Sequence, residues 1–245
     1  MFHYNKKMID KITEKGIESA QKFLENICLP VSKEFGLMLK DQVRMWRLNN
    51  IVRIINKSQG RFEFEGDELT LKANPRVVSE LIEKCSWQDQ DEIQDLWAGL
   101  LNSSISENEH NDSNLIFISL LNQLTANQAR IIKYFAESSK KTKDLNGRLA
   151  TESGIIMSAE EFCEIAKCSD INLLTAEIEH LKSLGLVESG MGLASGFFEE
   201  TTYDKEEGKT VKTGNYNTGL KLSPLSLSLF IRCQGHRGSL LTFIF

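Results

Sequence analysis

The sequence predicts a mainly α protein in two parts: an N-terminal helical domain over about 1–122 and a winged-helix-like α+β domain over about 123–245. Three observations point there. Apolar residues recur at i, i+3 and i+4 through much of the first half, which gathers them on one face of a helix. Two capping-box patterns, Thr125-x-x-Gln128 and Ser158-x-x-Glu161, open helices in the second half. After a third helix there, two extended stretches flank the polar turn 204–208, as in a β-hairpin wing.

In chain order, Ile9, Ile12, Phe23, Leu24 and Ile27 mark a helix over about 6–28, which Pro30 breaks. A second helix covers about 32–58. At about 100° per residue, Phe35, Met38, Leu39, Val43 and Trp46 share one face, while Lys33, Lys40, Arg44 and Arg47 fall within about 60° of one another on the other side. After Asn49 and Asn50 the stripe rotates onto Ile51, Ile54 and Ile55, which predicts a kink or a change of partner. Residues 59–75 read as a connector with a strand near 69–72. A helix follows Pro75 with Val77, Val78, Leu81 and Ile82 inward. The clearest helix carries Ile93, Leu96, Trp97, Leu100 and Leu101, with Asp89, Asp91 and Glu92 near its positive N-terminal end. A polar loop (102–114) and a short apolar helix (115–124) complete the first domain.

The second domain starts with helices over about 126–138 and 159–167, separated by a polar loop. A third, about 170–184, turns Leu174, Ile178 and Leu181 inward and stops at Gly185. Segments 193–203 and 209–222 form the hairpin, Pro224 opens a last helix over 224–233, and the apolar tail GSLLTFIF needs a cover.

Composition narrows the function. The 245 residues are 41% hydrophobic and 26% charged, as in a globular protein, and no run approaches the roughly 20 apolar residues of a membrane span. The N-terminus lacks the apolar stretch of a signal peptide, and cysteines 28, 85, 163, 168 and 233 are odd in number and scattered, so a reduced, cytoplasmic chain is expected. Net charge is +5 over 1–60, −9 over 61–123 and −1 over 124–245. Attraction to an anionic partner is therefore local to the first quarter.

No phosphate loop of the form GxxxxGK(S/T), no GxGxxG, no GxSxG and no HExxH occurs, and the four histidines are isolated. Cys163 and Cys168 have no second Cys/His pair in range, so no metal site is expected. Nothing specifies an enzyme, a cofactor or a small-molecule substrate. The candidate sites are contact surfaces. Lys33, Lys40, Arg44 and Arg47 could hold an anionic partner, a phosphate, an acidic lipid surface or an acidic helix; equally, they could be solvated or pair with the −9 segment. Lys205, Lys209 and Lys212 make the wing basic, although Glu206 and Glu207 offset them. Trp46 and Trp97, each on an apolar stripe, are expected core anchors. Sequence-specific DNA binding is disfavoured. The third helix offers Asp170, Glu177 and Glu179 against Lys182, and the helix before it adds Glu160, Glu161 and Glu164 against Lys167.

The stretches LKDQVRMWR (39–47) and QDLWAGLL (94–101), with FISLLNQLTANQARIIKYF (117–135) and GLKLSPLSLSLFIRC (219–233), resemble the Abi-alpha family of bacterial proteins. The resemblance spans most of 30–233 and implies a role in abortive infection, in which an infected cell stops growing or dies before phage spreads. It carries over no catalytic residues. The combined expectation is a non-enzymatic defence effector acting through a protein partner, a homo-oligomer or an anionic ligand. The rivals are a winged-helix transcriptional regulator, an enzyme with an unrecognised site, and a protein acting peripherally on membranes through its tail and basic helix.

Overall fold

A computed structural model describes residues 14–28, 42–61, 72–106, 110–188, 198–204 and 209–243. Among them are nine α-helices and eight strands, seven of them short, so the protein is mainly helical with small sheets. The chain forms two compact units. One takes the described residues up to Gln123 together with Ile231–Ser239, and the other takes those of Leu124–Phe230 and Leu240–Phe245.

The first unit is built from α1 (Glu14–Ile27), α2 (Gln42–Gln59), α3 (Pro75–Cys85), α4 (Asp91–Ser103) and α5 (Leu115–Gln123). A two-residue ladder joins β1 (Lys72–Ala73) to β2 (Ile105–Ser106), antiparallel. Local chemistry starts α3: the Asn74 side chain accepts from the Arg76 N–H, and Pro75 occupies the first helical position, where a missing N–H costs nothing. Helix α2 packs between α1 and α4. It runs through Asn49 and Asn50 without a break, and the buried Asn50 amide donates to the Ser86 carbonyl at 2.9 Å. Its core contribution is Leu48, Ile51, Val52, Ile54 and Ile55, all buried with Ile93, Trp97, Leu100 and Leu101 of α4.

Segment 231–239 departs from the sequence expectation, which assigned it to the second domain; it belongs to the first unit. The cause is Gly99 on α4. A Cβ at that position would overlap the Cys233 carbonyl, so only glycine lets the two backbones meet. Gly235, at φ +91, then turns the chain beside Asn102.

The second unit begins with α6 (Ala126–Ser138), whose cap Thr125 forms the expected capping box with Gln128. The predicted polar loop instead contains a hairpin, β3 (Lys141–Lys143) with β4 (Leu149–Thr151), and then β5 (Ile155–Ser158). The Asp144 carboxylate closes the hairpin turn by accepting from the N–H groups of Asn146 and Arg148, and Gly147 supplies φ +74. The Arg148 backbone N–H is the main reason that carboxyl is held below the usual carboxylate range. Next come α7 (Ala159–Ala166), again boxed by Ser158 and Glu161, and α8 (Ile171–Ser183). Helix α8 gives way to Leu184 and Gly185 (φ +68), which frees the chain for β6 (Val187–Glu188). Strands β7 (Phe198–Asp204) and β8 (Lys209–Leu222) follow, then α9 (Pro224–Cys233) and a 3-10 turn, Leu240–Phe243. The long β8 is the centre of the sheet. It pairs antiparallel with β5 (Ile155 opposite Leu220), with β6 (Val187 opposite Leu222) and with β7 (Phe198 opposite Asn217). Phe135 of α6 and Phe162 of α7 meet at 6.0 Å between ring centroids, with Leu174, Ile178 and Leu181 of α8 buried around them.

Trp97 is fully buried and its indole N–H has no partner among the described residues. Trp97→Ala is expected to destabilise the first unit by about 3–5 kcal/mol in a denaturant melt. Trp97→Phe, which keeps most of the ring volume and removes an unpaired donor, should cost clearly less. Equal losses would mean that indole packing is not what holds α4 in place.

Candidate contact surfaces

The cationic side of α2 divides when its surroundings are known. Lys33 and Lys40 lie outside the described residues. Arg44 is exposed, and Arg47 is only 16% exposed because it docks on α3. Its Nη2 pairs with Glu83 at 2.6 Å, its Nε donates to Ser86 Oγ at 2.9 Å, and its guanidinium sits 4.4 Å from the centre of the Trp87 ring. The same logic continues down the helix. Lys57 bridges Asp91 (2.7 Å) and Asp95 (2.9 Å), and Arg61 also reaches Asp95 (3.1 Å). The positive and negative blocks of the sequence thus meet inside one unit, and Asp91 in α4's first turn is ion-paired as well as aligned with its dipole. The tryptophans differ from each other. Trp97 is core, as its stripe predicts, whereas Trp46 is half-buried and packs at 6.1 Å on Trp87, which is 50% exposed. The exposed partner comes from the turn after α3, where no periodicity marked it.

On α8 the three acids expected to face outward have three different fates. Asp170 caps the helix, accepting from the N–H groups of Asn172 and Leu173. Glu179 is exposed and pairs with Lys182 at 3.0 Å. Glu177 is buried. Its carboxylate accepts the Thr125 hydroxyl at 2.9 Å and the Asn127 amide at 3.3 Å, while Gln128 Nε2 donates to the Glu177 carbonyl at 3.0 Å and lies 2.9 Å from His180 Nδ1. Held there by side chains of the α6 cap and first turn, the carboxylate also lies near the positive end of that helix's dipole. With Leu174, Glu177, Ile178 and Leu181 inside, α8 turns Ile171, Asn172, Leu173, Ala176 and Glu179 outward. Ile171 is 40% and Leu173 46% exposed. Glu160, Glu161 and Glu164 are exposed on the neighbouring α7. On α8, Ile171 and Leu173 lie near the two margins of the outward arc, with Asn172, Ala176 and Glu179 between them, and the neighbouring α7 adds three carboxylates.

In the wing, Lys209 stands opposite Asp204 in the strand register and Lys212 opposite Thr201, while Lys205 lies outside the described residues. Cys163 and Cys168 are free and half-buried, and burial pushes the Cys163 thiol up. Among the described residues no three His, Cys, Asp or Glu side chains converge as metal ligands, and no helix is long and apolar enough to cross a membrane.

Two expectations follow. Arg47→Ala should lower stability by about 1–2 kcal/mol and change the tryptophan emission, because it removes an ion pair and the cation over Trp87, whereas Arg44→Ala should stay within about 0.5 kcal/mol of the parent. Indistinguishable melts for the two variants would remove Arg47 from the structure's supports. Glu177→Gln should cost about 1–2 kcal/mol in the second unit, since an amide replaces one accepting oxygen with a donor facing the Thr125 hydroxyl and the Asn127 amide. A neutral outcome would mean that the buried carboxylate contributes no net fixation of α8.

Comparison with known proteins brings one family. No curated relative and no solved structure matches the chain. The family model described as abortive infection alpha matches residues 47–230, a span that starts at Arg47, contains Trp97 and the α6–α8 helices, and ends at Phe230 in α9. With most of its length matched, the chain belongs to the abortive infection alpha family.

Proposed function

We propose that the protein is a cytoplasmic anti-phage effector of the abortive-infection kind, that it acts by binding rather than by catalysis, and that its second unit is a winged-helix module used for protein contact. Family membership supports the defence role. The element order supports the winged-helix reading: helix α6, strand β5, helices α7 and α8, then β6, β7 and β8, with β8 pairing with β5 and β6 as the middle strand. The observation that carries the binding mode is the outward side of α8. In this topology that helix would enter a DNA groove, and there its surface consists of Ile171, Asn172, Leu173, Ala176 and Glu179 beside three exposed glutamates of α7, with Asn172 the one base-reading type among them. Five exposed carboxylates, Glu160, Glu161, Glu164, Asp170 and Glu179, would repel phosphates from this side, and α8 itself has no Arg or Lys other than the ion-paired Lys182. Exposed aliphatic side chains suit a protein surface.

Expression in a phage-challenged bacterial host tests the role: plaque numbers should fall while infected cells die or arrest, and Leu173→Asp should restore plaques without altering the melting temperature. Unchanged plaque numbers for the parent protein would overturn the defence reading. The rival, a DNA-binding regulator, predicts nanomolar, steeply salt-dependent retention of one duplex in a gel shift; we expect none at physiological salt.

A further inference from the structure

The β3–β4 hairpin carries a feature that neither the fold nor the proposed role explains. Leu145, at its tip, is 106% exposed, the most exposed large apolar side chain among the described residues. It sits in a well-fixed turn. Asp144 accepts from the N–H groups of Asn146 and Arg148 and from Arg148 Nε at 2.8 Å, and the Gly147 N–H donates to the Asp144 carbonyl at 2.9 Å. Holding an aliphatic residue in water on a rigid turn gains nothing for the isolated chain. Placed against a partner it loses little entropy on docking, since its backbone is already ordered. Its surroundings, residues 140–152, carry a net charge of +2: of Lys140, Lys141, Lys143 and Arg148, Lys140 pairs with Glu152 and Arg148 with Asp144, each at 2.8 Å, which leaves the excess at Lys141 and Lys143.

The same unit holds the complement. Residues 159–183 carry six carboxylates against Lys167 and Lys182, and their exposed apolar residues are Ile171 and Leu173 at the start of α8. Hairpin and helical face are both uncovered within one chain, so they do not meet each other there. We infer that the β3–β4 hairpin of one copy docks on the α7–α8 face of a second copy, with Leu145 against Leu173 and the hairpin lysines facing the carboxylates of α7 and Glu179. This rests on the protein-contact reading of α8 and names its partner as this chain. The contact is heterologous, knob on one protomer and face on the other, so it either closes into a symmetric oligomer or propagates as an open chain. Opposite local charges steer it, and added salt weakens it.

The test uses the full-length protein and two variants, Leu145→Asp and Leu173→Asp. Both positions are exposed, so circular dichroism and melting should match the parent. Light scattering across a concentration series should show the parent rising above the 27.8 kDa monomer, less so at high salt, and each variant remaining monomeric. Mixing the two variants should restore association as one-to-one pairs that grow no further, because one protomer keeps the face and the other keeps the knob. A parent that stays monomeric throughout, a Leu145→Asp protein that still associates, or variants that fail to pair would each overturn the inference. The scattering involves no phage, so its failure is separate from that of the proposed role. A monomeric parent whose protection still depends on Leu173 would leave the contact face with a foreign partner and remove only the self-docking.

Discussion

The buried carboxylate of Glu177 decides what the second unit shows to the outside. Bound at the N-terminus of α6 by Thr125 and Asn127, it fixes the rotation of α8 about its own axis. A helix with an acid in its buried stripe must seat that acid on donors, and the Thr125 cap supplies them at the end of a dipole that favours negative charge. Once that seat is taken, Leu174, Ile178 and Leu181 fall into the core, and Ile171, Leu173 and Glu179 have nowhere to go but the surface. Local capping chemistry, helix orientation and the character of the exposed face are thus three consequences of one contact.

In the first unit a similar economy applies to charge. The sequence has a positive block followed by a strongly negative one, and the fold brings Arg47 to Glu83, Lys57 to Asp91 and Asp95, and Arg61 to Asp95. These pairs are partly exposed, so each contributes little to stability by itself. Their larger effect is to orient α2 over α3 and α4 and to remove Arg47 from the set of cations that could meet an external anion. The close passage of the Cys233 backbone over Gly99 adds a steric condition at the same helix, which the return of segment 231–239 into this unit depends on.

Much of the helical framework was legible because its signals are local. Pro75, the Thr125 and Ser158 capping boxes and the stripe through Trp97 each state a helix without reference to the rest of the chain. The β3–β4 hairpin was missed because its strands, Lys-Thr-Lys and Leu-Ala-Thr, are too short to show an alternation; Asp144 and the Asn146–Gly147 pair at the turn were the available signal. The fate of Glu177 was illegible for another reason: helical spacing places it beside Ile178 and Leu181, but only a tertiary partner makes burial of an acid tolerable. Trp46 was read as core because its stripe was counted from residues 35–43, whereas the described part of α2 packs through the later stripe at Leu48–Ile55. Leu145 and Trp87 share a lesson, since exposure of an apolar side chain on a turn leaves no periodic trace.

Amide hydrogen exchange, followed at low and at high protein concentration, tests most directly whether the outward side of α8 is covered by a second copy of this chain. The account predicts that protection rises with concentration in two places, the first turns of α8 with the adjoining α7 and the tip of the β3–β4 hairpin, while the α2–α4 core is unchanged. Protection that is independent of concentration at both places, or that rises on α8 only when duplex DNA is added, would contradict it.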